Sequence, residues 1–528
     1  MKFSLWHKYV ELQKKWCDLK RFKPKLVKEM SKRLYPGAME LTTILALSIV
    51  LFLTVYMLLS WSRLNRYKSL PPGPTPIPVL GTPKYMDFRD PKIYQKLSQE
   101  YGSVFTIWKM SEPVIVLCGF ETVKDALINH AEQFSARPII PVMEVSTKGY
   151  DINGPRWRSL RRFALAYLRK WGTGSRTLDM RVLAETKYLL QAVSETGGKP
   201  FNPSMLLSCA VGNIISSLLF GEKFDYKDEK LRELVSCTAR YIKAVKSPLS
   251  TICNIVPVLL KIPYIRNKAI KDTTYIQRFV TKYMEHHKGT FNPVKPKNYI
   301  DHYLIKIKEV EHEVDADFCD FSLLGTLVGL LAAGIDTTSS TLKFMLMLIA
   351  HYPDVQAKVQ QEIDEVTKSL RPPELMDKPQ MPYTNAVIHE VQRVLDLAPT
   401  ALFHATTEDV KFKGYSIPKG TTVIPYLTSV LTDPSQWETP EEFNPRHFLN
   451  EEGQFRTKLA FMAFSVGKRA CLGENLASMN LFLFFSSLLQ RFTFTLPAGT
   501  QFQDAKLLNL NKNNIIGSGK ICAEPRSL

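Results

Sequence analysis

The sequence holds no Cys-x-x-Cys pair: its eight cysteines, at 17, 118, 209, 237, 253, 319, 471 and 522, follow no regular spacing. That excludes a secreted disulfide scaffold and a cysteine-rich zinc module, and it fits reduced thiols on the cytosolic side. Also missing is any glycine-rich nucleotide or flavin fingerprint, so the chain builds no dinucleotide site of its own. Acids are scarce, with 50 Asp+Glu against 69 Lys+Arg and a formal net charge of +19. The excess is uneven: residues 1–38 carry 11 basic against 3 acidic side chains, a net of +8, and the other 490 carry +11. Basicity that is partly terminal argues against nucleic acid as a partner. What is present in quantity is apolar surface, 45% of 528 residues with 23% charged, enough for a large core and too much for a disordered or fibrous chain.

One long apolar run stands near the N-terminus. Leu41–Trp61, LTTILALSIVLFLTVYMLLSW, has 21 residues without a charge, about 31 Å as a helix against a hydrocarbon core of about 30 Å. It is closed by Arg63, Arg66 and Lys68 as a stop signal would close it, and no small-residue cleavage site follows. A single-pass anchor at 39–61 is expected. The basic stretch 1–38 would hold the N-terminus in the cytosol, whereas a chain begun at Met39 keeps positive charge only after the span and places the large domain there. The rival reading uses Leu5, Tyr9, Leu12, Trp16 and Leu19, spaced as an amphipathic helix for an anionic membrane. Residues 62–78 follow as a hinge, with five prolines between Pro71 and Pro78 expected to form a stiff polyproline spacer.

From residue 79 to 528 there is no repeat, low-complexity tract or second linker, and helical patterns dominate. The expected class is mainly α within α+β, because Pro113–Cys118 and Val410–Leu427 carry the β-branched residues and glycine turns of short strands.

Chemistry concentrates in four places. In FSVGKRACLGENLA, Phe464, Gly467, Arg469, Cys471 and Gly473 stand at fixed offsets before an apolar helical run. Helix N-terminal amides and a nearby cation favour thiolate, and two glycines let backbone approach a flat cofactor. Glu390 and Arg393, three apart, share one helical face. In AAGIDTTSSTL, Ala333, Gly334, Asp336, Thr337 and Thr338 interrupt an apolar helix expected from about Cys319 to Ala350. Its uncharged run, Phe321–Ile335, is 15 residues, too short to span a bilayer. Gly334 would let that helix loosen, and Thr337 would bond the i−4 carbonyl or water. Finally, GPRWRSLRRFALAYLRK holds five arginines and one lysine without an acid, with Trp157 and Arg161 on one face. Nucleic-acid binding is the weaker reading of that run. Its remaining basics suit either an acidic redox partner or plain solvation.

The pattern FxxGxRxCxG resembles the haem-binding signature of the cytochrome P-450 family, and the likeness runs from Leu41 to about Leu496. The resemblance implies the cytochrome P-450 fold, a large helical domain with small β-sheets behind one N-terminal transmembrane helix. It implies haem b with Cys471 as axial metal ligand, Phe464 packed on its loop, and propionate contacts from Arg469, Trp157, Arg161, Arg137 and His404. It makes Asp336 and Thr337 the acid and alcohol that deliver protons for oxygen activation. It makes Glu390 and Arg393 a buried pair whose third member, often arginine, is here His447. The pocket implied by family position includes Leu327, Leu331, Ala332, Ala333, Ala401 and Leu402. The implied activity is that of a microsomal family 2-like monooxygenase, inserting one atom of dioxygen into an apolar fatty acid, steroid or xenobiotic. NADPH would act through cytochrome P-450 reductase, with cytochrome b5 as helper, at the endoplasmic reticulum membrane with the catalytic domain in the cytosol. A P-450-like isomerase is disfavoured by the Asp336 and Thr337 pair; a non-catalytic haem carrier is the alternative from another class.

Overall fold

The structure is a computed structural model that describes residues 43–58, 69–77, 80–85, 91–146, 152–172, 176–245, 247–310, 312, 317–499 and 519–527. The readings placed on residues 1–38, on Met39 and on the basic residues after the span lie outside these. Two compact units are present, one built around residues 43–58, 74–85 and 108–112, and a much larger one of 71–73 and nearly everything from 91 onward.

In the smaller unit, Thr43–Leu58 (α1) is an apolar helix. Its large side chains lie open, Leu47 at 69% and Phe52 at 68% exposure. An uncharged helix with apolar residues all round needs a hydrocarbon surrounding, which is the anchor expected from the sequence.

The larger unit packs helices around one extended core. Its spine is Asp320–His351 (α4), 32 residues, lying against Ser204–Leu219 (α3) on one side and Glu474–Arg491 (α6) on another. Gly154–Tyr167 (α2) and Pro382–Leu395 (α5) complete the helices that carry the site. α4 is long and apolar enough to cross a membrane, yet its residues from Thr341 to Ile349 are all buried within the protein. It is a core helix, as its interrupting Asp336 indicated.

The spine stays helical through Gly334, which corrects the expectation of a loosened turn. A Cβ at Gly334 would sit 2.9 Å from Ile215 Cδ1 of α3. The glycine is there for close approach of two helices. Along the same seam Lys343 donates to Ser204 Oγ (2.7 Å) and Ser208 to Ser339 Oγ (3.0 Å), so α3 and α4 run antiparallel with polar ties.

The sheets are small, as expected. Val104–Lys109 (β1), Glu112–Leu117 (β2), His404–Ala405 (β3) and Thr422–Pro425 (β6) form one sheet in the order β1-β2-β6-β3. β2 pairs parallel to β6 and β3 antiparallel to it. Between β3 and β6 lies a hairpin of Val410–Phe412 (β4) and Tyr415–Ile417 (β5), turned by Lys413 and Gly414 at φ 50° and 85°. Two successive positive φ values make the tight turn that matches strand twist.

One expectation needs correction. Pro71–Gly73 is no free spacer: Thr106 donates from Oγ1 to Pro71 O (2.7 Å) and from N to Pro72 O (2.9 Å), tying the segment to β1. Residues 519–527, beyond the stretch that carries the likeness, are built into the fold. Cys522–Pro525 (β8) pairs with Phe492–Thr495 (β7), and Arg526 bonds Asp364 at 2.6 Å.

Candidate functional site

The cysteine loop is shaped by close packing. Gly467 has φ 77°, and a Cβ there would meet Leu127 O at 1.9 Å. This glycine therefore serves a protein contact, not the flat cofactor expected. Gly473 is the one left with open space around its Cα. Cys471 N donates to Phe464 O (2.9 Å), which closes the loop and gives Phe464 its place. α6 starts at Glu474 with Gly473 as its N-cap.

Cys471 faces a cavity of about 220 Å³ lined also by Arg161, Leu165, Leu168, Leu472 and Leu476. Burial pushes its thiol up, opposed by the Gly473 and Glu474 amides and by Arg161, while the Glu474 carboxylate adds to the rise. The amides and the cation expected from the sequence are present, but desolvation outweighs them. Burial thus disfavours the charged sulfur, and ligating a metal would take its proton.

Tied to the cysteine loop and to one another stands a group of cations. Arg137 donates through Nη1 to Leu402 O and to Phe403 O (3.0 Å). Arg161 donates to Ala470 O in the cysteine loop. Arg469 donates to Ser135 O (2.7 Å), Ile152 O (2.8 Å) and Asn153 Oδ1 (3.1 Å). Arg469, not Arg161, is the nearer cation to Trp157: its guanidinium lies 3.3 Å from the ring centroid against 5.9 Å. Burial and then Arg161 pull Arg137 down to about 10. His404 is pulled to about 3, by burial first and then by Arg137, with Arg469 contributing. Its Nδ1 donates to Phe134 O (2.7 Å), and its Nε2 is buried with no hydrogen-bond partner.

Because Nδ1 carries the proton, Nε2 donates to a carboxylate only when the ring gains a second proton, and an anion beside Arg137 and Arg469 would favour that charged form. Haem, with two propionates and an iron for Cys471, brings such an anion, and the residues present fit it. Arg137, Trp157, Arg161, His404 and Arg469 would hold the propionate edge and Cys471 the metal. Asn153, which fastens both Arg137 N (2.7 Å) and Arg469, is a residue sequence reasoning missed. Its signal was an Asn before Gly-Pro at a helix start, a capping position.

On α4, Thr337 Oγ1 donates to Ala333 O (2.6 Å), the i−4 bond expected. Thr337, Ala333 and Gly329 are exposed at four-residue spacing, and Asp336 beside them is half-buried. Leu327 and Leu331 are fully buried in the main core. At about 100° per residue they sit roughly 120–160° round the helix from Ala333. Both are hence core residues, correcting their assignment to the pocket. Ala332 is also buried, whereas Leu402 is 73% exposed beside the half-buried Ala401.

Behind the cysteine loop, Glu390 and Arg393 are buried to within 1% and paired twice, Nε to Oε2 at 2.8 Å and Nη2 to Oε1 at 2.7 Å. Arg393 also donates to Leu431 O, Pro440 O and Glu442 O at 2.7–2.8 Å. Thr439 N donates to His447 Nε2 (3.2 Å), so that nitrogen is the acceptor and Nδ1 carries the proton toward Glu390 (3.2 Å). The third member of the network is thus a neutral donor, which answers the question its identity raised.

A family model described as Cytochrome P450 matches residues 71–516. The chain is 39% identical over 496 residues to Cytochrome P450 2C23 of Rattus norvegicus, covering 92% of this chain and 100% of that protein. To Cytochrome P450 2C3 of Oryctolagus cuniculus it is 41% identical over 443 residues, 83% and 91% of the two chains. To Cytochrome P450 2C29 of Mus musculus it is 42% identical over 460 residues, 86% and 93%. The matched region extends past Leu496 and ends before β8.

Proposed function

The chain belongs to the cytochrome P450 family, and on that premise we propose that Cys471 holds the metal of its haem while Asp336 and Thr337 manage protons above it. The protein is a haem-thiolate monooxygenase, an oxidoreductase of the unspecific type for apolar organic substrates. It uses haem b, dioxygen, and NADPH through cytochrome P450 reductase, with cytochrome b5 in some reactions. It resides at the endoplasmic reticulum membrane. When bound, the haem supplies thiolate-ligated iron whose electron-rich character favours O–O cleavage.

The protein's own residues do the rest. Cys471 supplies the sulfur from a loop held by Phe464 O. Thr337, with its hydroxyl anchored on Ala333 O, presents an oxygen that both accepts and donates on the exposed face of α4. Asp336 is the neighbouring acid that restores the proton. Leu402, Ala401 and Ala333 form the apolar edge that orients a greasy substrate and excludes water. The electron donor docks on the basic surface beside the Cys471 cavity, where Arg158, Arg161, Arg162, Arg169 and Lys468 line a second cavity of about 530 Å³.

The observation that carries the reading is the partnerless buried Nε2 of His404, with Arg137 and Arg469 as its charged neighbours and Arg469 two residues before Cys471. The test is reduced-plus-CO absorption. The wild-type chain gives the strongly red-shifted Soret band of a thiolate ligand and Cys471→Ala gives none; an unchanged band in Cys471→Ala overturns the assignment. NADPH consumption with reductase present separates a monooxygenase from an isomerase or a haem carrier.

A further inference from the structure

The basic cavity beside α2 contains one acid that a docking face for acidic groups does not need. Of its ten lining residues five are Arg or Lys and one, Glu132, is acidic. Glu132 is not buried; its side chain is 57% exposed at the rim. Its Oε1 lies 2.7 Å from Lys468 Nζ and its Oε2 3.2 Å from Arg158 Nη2, so one carboxylate occupies a cation from the cysteine loop and another from α2. The hydrogen bond from Lys468 holds the Glu132 carboxyl below its ordinary range, against a little desolvation and with Arg158 assisting.

We propose that Glu132 is a built-in competitor for the reductase: its carboxylate occupies Arg158 and Lys468, which acidic groups of the docking flavoprotein must win away. The inference rests on the reading that the electron donor docks on this face. Exposed ion pairs are weak, so the competition is mild and reversible. Rim charges act chiefly on association rate and on salt dependence. A partner carboxylate arriving at Lys468 or Arg158 exchanges one exposed pair for another and gains little. At Arg162, which Glu132 does not hold among the described ion pairs, it gains a new pair. Glu132 thereby sets docking weaker than the cluster of cations would allow, which suits a partner that must leave between electron transfers.

The test measures binding of full-length reductase to the full-length holoenzyme in lipid nanodiscs. Glu132→Gln should raise the association rate about two- to fivefold at low ionic strength. That gain should vanish as salt shortens the screening length. Adding Lys468→Gln or Arg158→Gln to Glu132→Gln should return the rate to the wild-type value or below. In the wild-type background, which does not depend on Glu132→Gln folding, Lys468→Gln should weaken docking less than Arg162→Gln does. An unchanged or lower rate for Glu132→Gln with its CO spectrum intact overturns the proposal, as does an equal loss from Lys468→Gln and Arg162→Gln. If Arg162→Gln, Arg158→Gln and Lys468→Gln all leave docking untouched, the docking face itself is misassigned and the proposal falls with it.

Discussion

Replacing Arg393 with Met keeps most of the side-chain volume and removes every bond the guanidinium makes in the buried network. Glu390 loses both of its guanidinium contacts, and the carbonyls of Leu431, Pro440 and Glu442 lose a donor. Breaking one half of a buried ion pair costs about 3–5 kcal/mol, because the other half is left charged in a dry site. Each orphaned carbonyl that water cannot reach adds about 1–3 kcal/mol. The sum takes up most or all of the roughly 5–15 kcal/mol by which a folded domain is stable. Arg393→Met should therefore yield no holoenzyme at 37 °C. His447→Gln is the informative contrast. Because His447 is neutral, its loss strands one donor of Thr439 and one acceptor site of Glu390, while Arg393 and the Asn444 amide still hold that carboxylate (2.9 Å for the latter). The expected cost is about 1–3 kcal/mol, and haem should be retained. Urea unfolding followed by the CO-difference band and far-UV circular dichroism together gives both quantities. If His447→Gln destroys the holoenzyme as Arg393→Met does, the ring carries a proton the geometry denies it, and the neutral assignment is refuted.

Thr337→Ala should keep the CO band and divert NADPH-derived electrons into hydrogen peroxide; unchanged coupling of NADPH to product counts against the role given to its hydroxyl. Gly467→Ala forces a Cβ toward Leu127 O, 1.9 Å away, and should lower haem content severalfold; normal haem content would show that the loop can shift. Lys343, buried beside Ser204 and Asn202, is drawn down to about 8 by desolvation. Between pH 8 and the unfolded value of 10.5 the unfolded chain binds the extra proton, so stability rises with pH there. Lys343→Met should remove that rise, and a denaturation series still parallel to wild type over the window would contradict it. His389, caged by Phe448, Phe455 and Phe461, is pushed down to about 4 by burial. Stability should fall as pH drops from 6.5 toward 4, because the unfolded chain takes up a proton first. His389→Gln should flatten that fall in acid unfolding midpoints.

What could be read from the sequence is what short range decides. Cys471 with its glycines and Arg469, the i,i+3 pair of Glu390 and Arg393, and the Thr337 bond to the i−4 carbonyl each lie within a few residues and carry their geometry with them. The strands at Glu112–Leu117 and Val410–Pro425 were legible for the same reason, through β-branched residues and a glycine turn. Readings failed where a distant segment decided the outcome. Gly334 looked like a loosening of its helix because Ile215, more than a hundred residues earlier, is invisible beside it in the chain. Gly467 looked like room for a cofactor because Leu127 is likewise remote. Leu327 and Leu331 were taken for pocket residues because family position was used in place of helical phase; a count of turns from Ala333 puts them on the far side.

Charge is where a motif says least. A motif records which groups meet, and Cys471 does meet amides and a cation, yet the sign of its shift comes from how much water the whole fold removes. The same sum governs Arg137 and His404, each pulled down by burial and by neighbouring cations. Those groups would be a poor bargain in a protein that stayed empty, since every depressed cation subtracts from stability. They make sense as the counterpart of two carboxylates brought by the ligand, which set an attraction against each of these repulsions. The site is thus recognisable in the fold by an imbalance, and an imbalance is a property of contacts summed over four separate stretches of chain, around residues 137, 157–161, 404 and 469.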